Sequence, residues 1–502
     1  MISWLFYFFW GYGGIYVFKI ITLLVLFLAV GGLLKDLKFP SLNLLWFFPL
    51  FSYILIDSLD FKSENYSVVF FVIILRLLNR IDFGIGMEKR KKYYFYFVII
   101  FALWANVHSG FVYGLFLISV FFIGGLINRV ISFEKRKWFN LNDIYLQLFI
   151  VSFFATLINP FGLKIYLVFL ENLVSVKIFE KYIYEWMPVD IKRENYITYI
   201  ISVGVNLIAY IYWNFKNKRL NFTEIILIAY FVISGFLHQR ITIYTFIIVS
   251  FLGIKYFLGF ASSALKNILA ILLVSFILFK GFNQFEKNIK VLIENGFYVN
   301  QWVSDASINF IVKNKEYLGS LKLYNGWNTG GSLAFGLYGY NKTFMDGRYI
   351  FSNMLEEYIE TTKNSNNFEK YDRKYNFGLL YFHIPPSVKK EMYKVINNER
   401  EYFVARPYFI KNINFDKWGL IYFDRKNMVF VKKTLVDKEF LKRNEYKFLK
   451  PYDFEYIYLI AEKDTRSFKK IKDEMLRYIK DNGVGKDNFS EIFIYILLDL
   501  RK

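Results

Sequence analysis

Residues 93–127 read YYFYFVIIFALWANVHSGFVYGLFLISVFFIGGLI. Two apolar runs, Tyr93–Ala105 and Phe111–Ile127, are parted only by Asn106-Val107-His108-Ser109-Gly110, which leaves room for a tight turn and little else. A helix needs about 17–25 apolar residues to cross a hydrocarbon core. The second run is long enough, and the first becomes so when neighbouring helices shield its ends. The same pattern continues on both sides. Ile15–Leu34, Tyr196–Trp213, Ile241–Phe260 and Lys266–Phe282 are long runs, while Leu42–Ile56, Tyr66–Leu78, Ile144–Leu157 and Glu224–Leu237 are shorter. Together they predict about ten spans within residues 1–281. Backbone groups in lipid must be satisfied internally, so the expected form is a helical bundle.

Composition agrees with this reading. Of 502 residues, 55% are hydrophobic and 22% aromatic, which is more apolar than an ordinary soluble chain. The absence of Cys excludes a disulfide framework, an iron–sulfur cluster and a cysteine-liganded zinc site. Three His (His108, His238 and His383) are too few for a His-rich metal centre. The net charge of +21 raises the question of nucleic acid, and its distribution answers it. Up to Lys280 there are 26 basic and 14 acidic residues, and much of that excess falls in three short loops. These are Arg76–Lys92, Arg129–Lys137 and Lys216–Arg219. The intervening loops, Asp57–Asn65, Asn106–Gly110, Asn159–Asn195 and His238–Arg240, are mixed or poor in basic residues. Basic loops face the cytoplasm. The others, with the C-terminal domain, are then extracytoplasmic in a multi-pass protein of the cell membrane. The positive charge is a topology signal, and no nucleic-acid partner is expected.

The outer loops carry the motifs: Trp104–Phe111, Asn159-Pro160-Phe161-Gly162, Glu185-Trp186-Met187-Pro188 and His238-Gln239-Arg240. Beyond the spans come Trp327–Leu333, with Gly330-Gly331, and Phe344–Arg348, with Asp346-Gly347-Arg348. In these residues the chain resembles the bacterial and archaeal multi-span proteins grouped with GT-C glycosyltransferases, which use lipid-linked sugars. Members carry W-A-N-x-H-G-G-F (here with Ser109 for a Gly), N-P-Y-G, E-W-x-P, a W-G-G-Y-L-type segment and F-x-D-G-R. The five keep their order over residues 1–433, and Trp418–Lys433 is similar to the group's closing strand pair. The group opens with one span and an acidic outer loop ahead of a segment that Trp4–Leu28 resembles. This chain begins after that loop. Ten spans that end outside also begin outside, so an upstream span is expected. If the chain is complete, the group's usual catalytic acid is absent.

The resemblance implies transfer of a sugar from a polyprenyl-phosphate donor to an acceptor on the outer membrane face. Such transfer needs a carboxylate base for the acceptor hydroxyl and cationic stabilisation of the departing phosphate, from protein or metal. Candidate carboxylates are Asp57, Asp60, Glu64, Glu185 and Asp190; candidate phosphate partners are Lys62, Lys192, Arg193 and Arg240. Glu64, Glu185 and His108 are taken as catalytic. Asn106, Arg240, Trp186, Asp346 and Arg348 are taken as substrate-binding. No residue set predicts a metal site, and no cofactor is required, although a divalent cation is compatible with the chemistry. Plainer roles stand beside these. Asn106 and His108 can satisfy one another or cap two joined helices, His238 and Arg240 can anchor a helix end at headgroups, and Asp346 with Arg348 can close a turn.

Residues 282–434 alternate short strands and helices, which predicts an α/β layer with an antiparallel closing pair. Strands are expected at Ser320–Leu323, Lys342–Met345, Phe377–Phe382, Gly419–Phe423 and Met428–Lys432. Helices are expected at Ser304–Lys313, Ser332–Leu337, Met354–Thr361 and Ser387–Asn397. Residues 435–502 read as an amphipathic helical tail, suited to pack on that layer or to dock a protein partner. Two further functions remain in view. A non-catalytic membrane scaffold or assembly protein would bind partners through its external domain. A transporter would place charges or broken helices near mid-bilayer, and that reading ranks last because ionisable residues here fall at span ends.

Overall fold

The computed structural model describes residues 2–37, 64–84, 90–131, 143–260, 290, 302–347, 352–384, 388–397, 400–463, 465–485 and 488–499. Two units divide at Tyr298/Val299. The domain limit at residue 281, and the runs Leu42–Ile56 and Lys266–Phe282, lie outside the described residues.

The first unit is helical: α1 Ile2–Asp36 (kinked at Gly11), α2 Glu64–Asp82, α3 Arg90–Val107, α4 Phe111–Ile131, α5 Ile144–Thr156, α6 Lys164–Val174, α7 Val176–Tyr182, α8 Glu194–Lys216, α9 Phe222–Leu237 and α10 Thr242–Phe260. Single 3₁₀ turns occupy Tyr184–Trp186 and Gln239–Ile241. α2 shows why these segments are helices. Its buried residues, among them Val68, Phe71, Val72, Leu75 and Leu78, fall at helical spacing. Glu64 in the first turn and Arg80 in the last complement the helix dipole. The resulting core is continuous, running from Leu33 through Phe97, Trp104, Leu117 and Tyr199 to Phe231 and Ile248. By length and composition two of the described helical segments can cross a membrane, Gly13–Asp36 and Phe111–Ile131; Ile144–Thr156 and Phe222–Leu237 are apolar but shorter.

From α2 to α5 and from α8 to α10 successive helices reverse, so their ends collect in two groups; α1 instead runs parallel to α2, with Phe18 beside Tyr66 and Asp36 paired with Arg76. At one end Arg129 meets Asp143 at 2.7 Å, Arg90 donates to Gln147 at 3.1 Å, and Asn128 donates to Asn221 at 3.2 Å. This end carries the basic residues flanking the loops. The start of α2, the α3–α4 turn, the end of α5 and the α9–α10 junction collect at the other, where Asn106 donates to the carbonyl of Ile158 at 2.6 Å.

The second unit is an α/β layer. Helices α11 Asp305–Lys313 and α12 Lys315–Leu318 precede β1 Leu323–Asn325. They are followed by α13 Trp327–Gly336, α14 Ser352–Lys363, α15 Ser365–Tyr375, β2 Leu379–His383, β3 Lys390–Asn397, β4 Arg400–Pro407, α16 Phe409–Asn412, β5 Trp418–Phe423 and β6 Asn427–Lys432. Ser304 caps α11 by accepting from the amide of Ser307 at 3.2 Å. The main sheet has order β1-β2-β6-β5, parallel between β1 and β2 and antiparallel elsewhere. The expected closing pair is therefore present as β5–β6. Leu323, Leu379, Tyr381, Val429 and Val431 face Ile311, Leu333 and Phe440 in one core.

The strand expected at Ser320–Leu323 starts only at Leu323 and runs to Asn325. Two further expectations are corrected. Residues 390–397 are not helical: they pair antiparallel with 400–407 in a separate two-stranded ribbon, Lys390 opposite Pro407 through Asn397 opposite Arg400. Residues 342–345 form no strand, because the side chain of Asn325 takes their backbone groups. Its Oδ1 accepts from the amide of Phe344 at 2.8 Å, and its Nδ2 donates to the carbonyl of Met345 at 2.7 Å.

The tail, α17 Lys438–Asn444, α18 Phe454–Lys463, α19 Thr465–Asn482 and α20 Ser490–Asp499, packs on the sheet. Phe423 at the end of β5 is surrounded by the rings of Tyr446, Tyr478, Phe489 and Phe493, at centroid distances of 4.7–6.4 Å. Arg406 of β4 joins the ribbon to the tail: it forms a forked pair with the buried Asp453, 2.6 Å at the shortest, and lies 3.5 Å from the centroid of Tyr456.

Candidate functional site

The non-basic end of the helical unit brings together motifs far apart in sequence. Glu64 opens α2, and Arg240 sits in the 3₁₀ turn before α10. Their closest charged atoms, Arg240 Nη2 and Glu64 Oε1, are 3.5 Å apart, and both side chains are largely buried. Arg240 also lies over the indole of Trp186, 4.6 Å from its centroid. That geometry suits the weakly hydrated, planar guanidinium.

The turn bearing Trp186 is fastened to the α9–α10 junction. Gln239 donates from its backbone to Met187 O at 3.0 Å and from its side chain to Pro188 O at 2.9 Å. It accepts from the Tyr196 hydroxyl at 2.8 Å. His238 Nδ1 lies 3.0 Å from Trp186 O and so donates to it; Glu180 is 3.8 Å from the same nitrogen. Trp186 Nε1 is a buried donor with no hydrogen-bond partner.

His108 lies in the α3–α4 turn. Its Nδ1 accepts from the amide of Gly110 at 3.1 Å and is 2.7 Å from Ser67 Oγ, which itself accepts from Trp104 Nε1 at 2.7 Å. A nitrogen that accepts from an amide carries no proton, so Ser67 donates to it and the neutral ring holds its proton on Nε2. Burial pushes the His108 pKa down; Glu64 opposes the shift and Arg240 adds to it. Residue 110 has to be glycine, because a Cβ there would lie 2.3 Å from Ser67 Oγ. Tyr113 and Tyr244 stack tilted at 4.8 Å, and the Tyr244 hydroxyl is buried beside Ser67.

The structure thus unites Glu64, His108, Trp186 and Arg240. Glu185 is half-buried, one residue before Trp186. Asn106 does not bond His108; its amide donates to Ala102 O and Ile158 O, tying the end of α3 to the turn after α5. Asp190 accepts from the amide of Lys192 at 3.0 Å in an exposed turn, and Arg193 lies 4.4 Å from the Tyr184 ring centroid. Asp57, Asp60 and Lys62 lie outside the described residues. In the second unit Asp346 is half-buried next to Met345, and Arg348 lies outside the described residues. A Cβ at Gly330 would lie 2.0 Å from Met345 O, so that glycine serves the close approach of α13 to this segment. Ser67, Tyr113 and Tyr244 were missed by sequence reasoning, while Trp104 and Gln239 stood within motifs without a role. Ser67 was the findable one, because it lies one turn from Glu64 on the same helix face.

A divalent cation does not fit this donor set. Glu64 is the carboxylate paired with Arg240, whose positive charge would repel a metal, and among the described residues no three His, Asp or Glu form a metal-holding group.

No family model matches the chain, and no curated protein matches it. Among solved structures, the apo oligosaccharyltransferase of Archaeoglobus fulgidus is similar at 12% identity with a TM-score of 0.28, over 75% of this chain. This chain spans 51% of that protein's length.

Proposed function

We propose that this is a multi-pass membrane protein of GT-C type that transfers a sugar from a polyprenyl-phosphate donor to an acceptor at the outer membrane face. The observation that carries the reading is the meeting of His108, Trp186 and Arg240, from three separate motifs, with Glu64 of the Asp57–Asn65 loop at one end of the helical unit. The outward faces of the helices support a lipid setting: α8 exposes Ile197, Ile201, Val205, Ile208, Ile211 and Phe215 along its length. In this reading the ten spans hold the second unit outside the cell.

The chemistry uses the Glu64–Arg240 pair as an exchange. The donor phosphate takes over Arg240, which offers a bidentate fork to phosphate oxygens. This releases the Glu64 carboxylate to accept the proton of the acceptor hydroxyl. The acceptor oxygen bonds to the anomeric carbon, the carbon–oxygen bond to phosphate breaks with its electron pair, and polyprenyl phosphate leaves. His108, with its proton on Nε2, donates to the phosphate or to a sugar hydroxyl. Glu185 and Asn106 border the acceptor, and Asp346 and Arg348 are separate substrate-binding candidates of the second unit.

The test is polyprenyl-phosphate binding by the full-length protein in nanodiscs, together with glycan product in cells. Arg240→Gln is expected to weaken binding, and Glu64→Gln to preserve binding while lowering product formation about 10²-fold or more. Absence of both binding by the unaltered protein and product loss on gene deletion would overturn the reading. The second reading, a scaffold without catalysis, draws on the mutual neutralisation of Glu64 and Arg240. It expects Glu64→Gln, Glu185→Gln and His108→Ala to leave the cellular phenotype intact while deletion of residues 435–502 abolishes it.

A further inference from the structure

Helix α6 is poorly covered by the described residues of its unit. Ile165 and Tyr166, in its first turn, pack against the bundle core. The Tyr166 ring lies 5.6 Å from those of Phe111 and Phe153, and its hydroxyl is 2.6 Å from that of Thr156. Beyond this anchor the helix leaves the core. Leu167, Leu170, Leu173 and Val174 are each more than half exposed, Val174 at 85%, and Phe161 and Leu163 in the preceding turn are equally open. The spacing 163, 167, 170, 174 makes one stripe on a helix. A contiguous apolar surface of this kind is not stable facing water. Nor can the helix bury it by crossing a bilayer, since 11 residues rise only about 16 Å, half a hydrocarbon core.

The charges around the stripe identify what covers it. Lys164, Lys177 and Lys181 are exposed along α6 and α7, against Glu171 and the partly exposed Glu180, which lies 3.8 Å from His238 Nδ1. Leucines bordered by lysines on a short helix match the boundary between acyl chains and anionic headgroups. We propose that α6 is an in-plane interfacial helix whose leucine stripe lies in the acyl–headgroup boundary of one leaflet, at the rim of the candidate site. Its far end passes through Ser175 into α7, where Phe179 packs on Trp186 at a centroid distance of 5.3 Å. The depth at which α6 floats therefore sets the height of Trp186, and with it Arg240, relative to lipid phosphates. The inference rests on the membrane setting proposed above.

The lack of any native Cys makes one introduced thiol a unique label. Full-length Leu170→Cys and, separately, Val205→Cys at the middle of α8 are labelled with an environment-sensitive fluorophore and placed in nanodiscs containing anionic lipid. Quenching is measured with nitroxides carried shallow or deep on the acyl chain, and with aqueous iodide. The expected result at Leu170 is quenching about twofold or more stronger by the shallow nitroxide than by the deep one, with little effect of iodide. The deep nitroxide should dominate at Val205. Iodide quenching at Leu170, deep-nitroxide dominance there, or protection from all three quenchers would each overturn the inference, marking respectively a solvated helix, a re-entrant one or one covered by protein. If Val205 meets no lipid nitroxide, the membrane reading itself fails; if Val205 behaves and Leu170 does not, only the interfacial helix does.

Discussion

Strands β5 and β6 and helix α8 are similarly apolar in sequence, yet they face opposite ways. Every residue of β5 and β6 is buried, Trp418 and Phe430 included. α8 turns Ile197, Ile201, Val205, Ile208 and Phe215 outward, the last 85% exposed. In the second unit apolar area is hidden by the tail and the helices on the sheet, as water demands. In the first, α8 leaves a row of it uncovered, the face that the proposed bilayer would cover. Hydrophobic content therefore identifies neither a core nor a membrane face; the partner on the far side does.

The contrast can be tested by substitution. Phe423→Ala should destabilise the second unit by about 3–5 kcal/mol, because it empties the centre of a four-ring cage. Protease resistance of that unit in urea, measured in the full chain, reads this directly, and an unchanged midpoint would break the comparison. Arg406→Gln should cost about 3 kcal/mol by leaving Asp453 charged and unpaired in the interior. Asp453 is buried, so burial pushes its carboxyl up against the pull of Arg406.

A smaller effect comes from Lys450. Burial pushes its amine down to about 8, against the pull of Glu474, Glu445 and Asp453 and with Arg406 adding to the shift. The folded value lies below the unfolded one, about 10.4. The cost of the buried charge is therefore fully present below pH 8 and is relieved as pH rises towards 10, so the second unit should gain stability over that window. The urea midpoint at pH 7 and at pH 9.5 should differ accordingly, and Lys450→Met should flatten the difference. Smallest of all, Ile208→Gln should shift the stability of the folded helical unit by less than about 1 kcal/mol while lowering its yield in membranes. A loss as large as that of Phe423→Ala would mean that α8 is covered by protein.

Legibility in the sequence followed the range of the interaction. Tyr66–Leu78 was visible because helical periodicity is local, although the helix extends to Glu64 and Asp82 through polar turns that periodicity does not mark. Residues 387–397 misled because Lys390, Glu391 and Lys394 among apolar neighbours fit either period, and the deciding partner, 400–407, is supplied by pairing. The site was half legible. A motif pointed to Arg240 and an outer loop to Glu64, but nothing local announces that the two meet, 176 positions apart, or that a serine in an apolar run serves a histidine.

That serine gives the site a polarity. From Trp104 Nε1 through Ser67 Oγ to His108 Nδ1, each hydrogen bond donates toward the imidazole. Adding a proton at Nδ1 would remove the acceptor that Gly110 uses and force the Ser67 hydroxyl to turn around, so the ring resists taking a proton on that side while still giving one from the other. The imidazole is thus wired as a one-way terminal, and acidification would act on it by reversing a relay as well as by adding charge.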